Sequence, residues 1–143
     1  MQPTINPSFA ADVTDSFAQQ PVMNLIGARL GHVGPGVVEI ELPFRADLTQ
    51  QDGYIHAGVI TTVADSAAGY AAYTLMPAGS RVLSIEFKVN LLRPAGGELF
   101  VARADVIKAG RTLTVVRADV FAVGAEGERE LVATMQGTMM CLR

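Results

Sequence analysis

A histidine, the start of an apolar run and a lone acid lie close together: His56-Ala57-Gly58, then Asp65 nine positions after the histidine. Asp65 is the sole formal charge between Gly53 and Ala72, and no Lys, Arg or Glu occurs between Asp52 and Arg81. A carboxylate without a local partner in an apolar segment is costly to bury. Such a group sits solvated in a cleft, carries a shifted pKa, or serves chemistry. Asp65 is therefore the candidate base or nucleophile. The alternative for it is a helix aspartate that pairs with a distant arginine or lies at a subunit interface. A helix beginning at Ala57 exposes unsatisfied N–H groups and a positive dipole end. The Ala57 and Gly58 amides are thus placed to polarise a carbonyl, with plain helix capping as the equal alternative.

The elements around these residues follow from pattern. Residues 57–76 read as one alanine-rich helix closed by Pro77-Ala78-Gly79. Its apolar residues cover most of the circumference, which marks a helix packed on nearly all sides. One strip, Gly58, Thr61, Thr62, Asp65 and Gly69, is small or polar and leaves room for a ligand. Residues 7–19 form a short amphipathic helix, with Phe9, Val13 and Phe17 every four positions, ended by Pro21. Strands are expected at 25–32 and 37–42, separated by Gly34-Pro35-Gly36, and residues 43–55 are polar and irregular. Four more strands follow at 82–93, 99–107, 113–123 and 130–141. In the first of these, Leu83, Ile85, Phe87, Val89 and Leu91 are expected on one face and Ser84, Glu86, Lys88 and Asn90 on the other. Long antiparallel strands with short glycine turns and one apolar helix indicate an α+β domain, its sheet wrapped on that helix.

Composition bounds the rest. A chain of 143 residues points to one domain, and 50% hydrophobic against 17% charged residues supplies a substantial core. The mean hydropathy of +0.31 is high for a 15 kDa monomer and suggests an oligomer. A net charge of −3 gives no basic footprint for nucleic acid. The single cysteine, Cys141, excludes an internal disulfide framework and fits a reducing compartment. Two histidines and one cysteine supply no metal-ligand cluster. No signal peptide is visible at the N-terminus. The helix at 57–76 nearly has the length of a membrane span, but its aspartate, threonines and glycines read as a buried helix instead. A cytoplasmic location, with no membrane and no nucleic-acid partner, is the expectation.

These residues resemble the hot-dog fold and, within it, the PaaI-like acyl-CoA thioesterases of the 4-hydroxybenzoyl-CoA thioesterase superfamily. The family pattern is a polar Asn or Gln, five residues, His-Gly-Gly, then an acid seven positions after the last glycine. Here it reads Gln50, five residues, His56-Ala57-Gly58, then Asp65. The run Ser84 to Pro94 resembles the family's third strand, and Gly110-Arg111-Thr112 its strand-connecting turn. The likeness covers roughly residues 22–142. Two positions depart: Ala57 replaces a glycine, which keeps the N–H but loses backbone freedom, and Gln50 stands where many members have Asn.

The resemblance implies one hot-dog domain over residues 1–143, with residues 1–21 as an N-terminal helical extension. It implies hydrolysis of small, medium or aryl acyl-CoA thioesters to acid and CoA, with no cofactor, since CoA belongs to the substrate. The implied catalytic set is Asp65, Gln50, His56, Gly58, Ala57 and Ser84. In it His56 orients the carbonyl or fixes the loop, Gln50 holds the attacking water, and Ser84 bonds that water or Asp65. Each has a bland alternative: a structural histidine, a solvated loop glutamine, an exposed strand serine. Lys88, Arg93, Arg81 and Arg111 are candidates for CoA phosphates, while His32 reads as structural. Members of the fold assemble as a homodimer or homotetramer with residues of both chains in one site. A hot-dog enoyl-CoA hydratase or dehydratase and a non-catalytic acyl-CoA binding module are the rival readings.

Overall fold

The computed structural model describes residues 5–143. Two helices open the chain, α1 (Phe9–Ala18) and α2 (Pro21–Ile26). Then come β1 (Arg29–Gly34), β2 (Val37–Pro43), a 3₁₀ turn (Ala46–Leu48) and the long helix α3 (Ala57–Tyr73). Four strands finish it: β3 (Arg81–Leu91), β4 (Leu99–Ala109), β5 (Leu113–Val123) and β6 (Arg129–Leu142). All pairings are antiparallel, in the order β1-β2-β4-β5-β6-β3, so β1 and β3 are the sheet edges.

The sheet curves around α3, as expected for a hot-dog fold. Alternate residues point at the helix: Val38, Ile40 and Leu42 from β2, Ala102 and Ala104 from β4, Val116, Ala118 and Val120 from β5, all fully buried. The helix answers with Val63, Ala64, Ala67, Ala68, Ala71 and Ala72. Its alanines allow close approach, which is how one helix fills the hollow of six strands. Thr74, at the helix C-cap, bonds Ala71 O (2.7 Å) and accepts the Gly36 N–H (2.8 Å), pinning the helix end to the β1–β2 turn.

Three expectations change. The N-terminal region holds two helices rather than one. The first helix does end before Pro21, but Pro21 also opens α2 from its first position, where its missing N–H is harmless and its fixed φ suits a helix. Consequently the stretch 25–32 is not all strand: α2 runs to Ile26, Gly27 closes it at φ 75°, and β1 begins at Arg29. The helical extension thus reaches beyond residue 21, and its residues 1–4 lie outside the described residues. The central helix stops at Tyr73, three residues before Met76.

The third change matters most. The register of β3 against β6 shifts between Ser84 and Glu86, a bulge at Ile85. An extra residue flips all later side chains to the opposite face. Ser84 pairs with Met139 and Phe87 with Gly137, both of which are buried on the inner face. Ser84 therefore shares a face with Phe87, Val89 and Leu91 and looks toward α3. Without the bulge, the strict alternation would have aimed Ser84 away from Asp65.

Candidate active site

His56 is the N-cap of α3, and its Nδ1 accepts the Gly58 N–H at 2.8 Å. A ring nitrogen that accepts carries no proton, which leaves Nε2 as the ring's donor. The contact is close enough that a Cβ on residue 58 would meet Nδ1 at 3.0 Å, so any other residue there requires the ring to shift by a few tenths of an ångström. Of the two amides expected at the helix start, Gly58 is held by His56. Ala57 N–H has no acceptor within the chain among the described residues. Thr61 and Thr62 on the same strip turn their hydroxyls back to the Ala57 and Gly58 carbonyls, both at 2.8 Å, which leaves the strip without competing donors.

Gln50 lies in the loop before the helix, drawn toward it by the Thr49–Ile55 bridge. Its Oε1 accepts from the backbone N–H groups of Asp52 (2.7 Å) and Tyr54 (3.3 Å). The oxygen thus shapes the loop, and the amide nitrogen remains for other work. Asp65 projects from the third turn of α3, half-buried. Its Oδ1 accepts from Ser84 Oγ at 2.6 Å, the length of a charge-assisted bond. Ser84 Oγ also lies 3.2 Å from Met139 Sδ. No ion pair reaches Asp65 among the described residues. The distant arginine that would have made it a structural acid is not there.

Four of the six expected residues fall into two groups, and His56 and Gly58 line neither cavity. A cavity of about 480 Å³ is lined by Gln50, Tyr54, Ala57, Ile60, Leu91 and Arg93. A second, of about 400 Å³, is lined by Asp65, Ser84, Ser16, Gln20, Tyr70 and Leu83. Ala57 and Asp65 are eight residues apart on α3, roughly 12 Å of axial rise. Within one chain, then, the acid and the helix N-terminus do not meet over one bound carbonyl. The phosphate candidates scatter as well. Arg93 borders the first cavity and pairs with Glu130 at 3.0 Å, and Lys88 sits in a separate dent beside Arg117. Arg81 and Arg111 have no ion pair among the described residues. His32 is an exposed residue of β1.

Sequence reasoning passed over Ser16, Gln20, Ser66 and Tyr70. Ser66 Oγ donates to Gln20 Oε1 (2.9 Å), Gln20 Nε2 donates to Tyr70 OH (2.9 Å), and Ser16 Oγ is 3.1 Å from the same hydroxyl. Ser66 and Tyr70 are spaced i, i+4 immediately after Asp65, a signal that was available. Ser16 and Gln20 lie on the N-terminal helices, and nothing local ties them to the site.

A six-stranded antiparallel sheet closed on one helix, with an acid inside that helix and a histidine-capped amide at its start, defines a hot-dog fold of the thioesterase class. A sequence model described as the thioesterase superfamily matches residues 52–127. The solved structure of a thioesterase family protein from Silicibacter pomeroyi superposes with a TM-score of 0.90 at 52% identity, covering 94% of this chain and 98% of that one. The Escherichia coli PaaI protein of the phenylacetic acid degradation operon shares the fold, with a TM-score of 0.85 at 16% identity over 98% of this chain and 97% of that one. A Saccharolobus solfataricus protein provisionally named an esterase is 29% identical over 133 residues, 93% of this chain and 85% of the relative. This chain belongs to the thioesterase superfamily, a family of hydrolases, and its hot-dog fold is PaaI-like.

Proposed function

We propose that the protein hydrolyses acyl-CoA thioesters in a site built by two copies of the chain. The observation that carries this is the position of the two cavities. One touches the start of β3 at Val82, Leu83 and Ser84, the other its end at Leu91, Leu92 and Arg93. β3 is a long sheet edge with Leu83, Ile85, Phe87 and Leu91 between 43% and 55% exposed. An apolar edge of this length is an aggregation hazard unless something pairs with it. Antiparallel pairing of β3 with itself about a two-fold axis sets the start of one β3 beside the end of the other. The Asp65 cavity of each copy then adjoins the Gln50 and Ala57 cavity of the second copy. Both helices lie on the same face of the joined sheet and run in opposite directions, so the N-terminus of one points toward the acid of the other.

In that arrangement the acyl group enters beside Asp65 and Tyr70, and the thiol carrier leaves past Tyr54 and Arg93 of the second copy. The free Ala57 amide polarises the thioester carbonyl, and rotation of His56 releases the Gly58 amide to join it. Asp65, oriented by Ser84, takes a proton from water held at Gln50 while the water oxygen bonds the carbonyl carbon. The C–S bond then breaks, and the proton passes to the departing thiolate, giving acid and CoA. Direct attack by Asp65 would instead form an anhydride that water cleaves. Single-turnover reaction in ¹⁸O-water separates the two routes by whether label enters Asp65.

The test is thiol release from aliphatic and aryl acyl-CoAs, followed by mixing of inactive variants. Asp65→Asn is expected to lower turnover by about 10² or more, and Gln50→Ala to lower it as well. Co-refolding the two variants is expected to restore up to about a quarter of wild-type activity, because half of the molecules become mixed dimers with one intact site. No recovery would sink the shared site. No thiol release from any acyl-CoA would sink the acyl-CoA reading.

A further inference from the structure

Ser84 lies on the edge strand β3 and is exposed, and the bulge at Ile85 interrupts the ladder directly after it. An exposed serine has three staggered positions open to its hydroxyl. This hydroxyl nevertheless points at Asp65. The one other side chain bonded to its oxygen among the described residues is Met139, whose sulfur lies 3.2 Å away. Met139 stands opposite Ser84 on β6, a strand paired on both sides, and it is fully buried. A methionine side chain is flexible when free, but in a packed core its torsions are fixed. The sulfur is thus a fixed floor beneath a hydroxyl that solvent could otherwise claim.

We infer that Met139 is a positioning residue for Asp65 that acts through Ser84: its sulfur keeps the hydroxyl in the position that aims its proton at the carboxylate. The inference rests on the thioesterase reading above. A hydroxyl has one proton to give, and two acceptors lie within its reach, Asp65 Oδ1 at 2.6 Å and Met139 Sδ at 3.2 Å. A thioether accepts weakly and donates nothing, whereas an ionised carboxylate accepts strongly. The proton therefore goes mainly to Asp65, with the sulfur as the minor branch of a three-centre bond. A stronger acceptor in place of the sulfur would take the proton away from Asp65. A hydrocarbon of the same volume would fill the core equally well but offer the hydroxyl nothing, and the hydroxyl would turn to water for part of the time. The consequence falls on the carboxylate. Among the described residues Ser84 alone bonds Asp65, and it takes Oδ1. Oδ2 is thereby left to the water that Asp65 deprotonates, and a hydroxyl that wandered would loosen that assignment.

The experiment is a double-mutant cycle on kcat, read by thiol release from acyl-CoAs. Met139→Leu conserves volume, a swap that cores tolerate. In the wild-type background it is expected to lower kcat about three- to tenfold, with KM little changed, as the loss of one weak hydrogen bond would. In the Ser84→Ala background the same substitution is expected to leave kcat nearly unchanged, because the group it acts through is gone. A purely structural role would lower kcat by the same factor in both backgrounds. If Met139→Leu packs poorly, replacing all six methionines with norleucine repeats the cycle, since each sulfur becomes a methylene and the shape is kept. Met139 carries the sulfur bonded to Ser84, so its exchange is the one expected to depend on Ser84. Equal losses in the two backgrounds, or no loss in the wild-type background, overturn the inference and spare the thioesterase reading. Absence of thiol release by the wild type from every acyl-CoA overturns both.

Discussion

At Gly58, one missing methyl group decides the state of the helix N-terminus. Its Cβ would stand 3.0 Å from His56 Nδ1, the acceptor of the capping hydrogen bond. Gly58→Ala is therefore expected to shift the imidazole and weaken its cap. Helix capping of this kind is worth about 1 kcal/mol, so the melting temperature should fall by only a few degrees. Catalysis should suffer more, because the added methyl group stands beside the Gly58 N–H and the His56 ring, where the thioester carbonyl must arrive once the ring has turned away. A loss of one oxyanion donor costs on the order of 10² in kcat, and the expectation for Gly58→Ala is a drop of at least tenfold in kcat with KM little changed. A change confined to KM would mean that the helix start binds substrate without acting on it. The comparison with Ala57 is informative. The neighbouring position carries a methyl group and still lines the first cavity, and its N–H makes no hydrogen bond within the chain among the described residues. Ser84→Ala is a second test: it removes the 2.6 Å bond that orients Asp65, and should lower kcat while leaving the fold intact.

Among the elements, β3 shows what pattern can and cannot reveal. Its existence was plain from alternation, and so were α3, β2, β4, β5, β6 and the loop that carries Gln50. The bulge at Ile85 was not, because a bulge adds no residue type that a reader could notice. The Asp65–Ser84 contact depends on it, and from the sequence Ser84 entered through family resemblance alone. The two-helix N-terminus was missed for another reason. Pro21 was read as a stop, whereas a proline is equally a start, and the apolar residues that follow fit either a short helix or a strand. Elsewhere the sheet is held on its outer face by charge. Glu39 of β2 pairs with Arg129 of β6 at 2.9 Å and with Arg103 of β4 at 3.5 Å. The Arg129 hydrogen bond and then the arginine charges hold its carboxyl below the ordinary 4.5, against the opposing effect of burial. A carboxyl lowered by folding contributes stability above its unfolded pKa and loses it as pH falls through the folded value. Glu39→Gln should thus be destabilising at pH 7 by up to about 1 kcal/mol. Its deficit relative to wild type should shrink once the pH drops below 4.5. Thermal melts of both proteins from pH 7 to pH 3 measure this, and a deficit that is constant with pH would assign the effect to packing.

For the molecule as a whole, the decisive question is whether activity and assembly are one property. The fold leaves a long apolar edge open and divides the candidate residues between its two ends. If the site needs a second copy, any change that blocks edge pairing must abolish turnover without touching Asp65, Gln50 or His56. Ile85 and Phe87 stand at the middle of β3, where they are 49% and 43% exposed. Replacing both with aspartate puts two charges per copy at the self-pairing edge, where a two-fold axis sets them against each other, and like charges across strands repel. Neither residue contributes to the buried core, so each subunit should keep its far-UV circular dichroism. The variant is expected to sediment as a 15 kDa species and to release no thiol above background. Diluting the wild type below its dimer dissociation constant should reproduce the same loss in graded form, with specific activity following the dimer fraction. A monomeric variant that keeps wild-type turnover would mean that one chain closes the roughly 12 Å gap between Ala57 and Asp65 by itself. That would require α3 to bend or the Gln50 loop to fold across it, a movement that the tight alanine packing of the helix opposes.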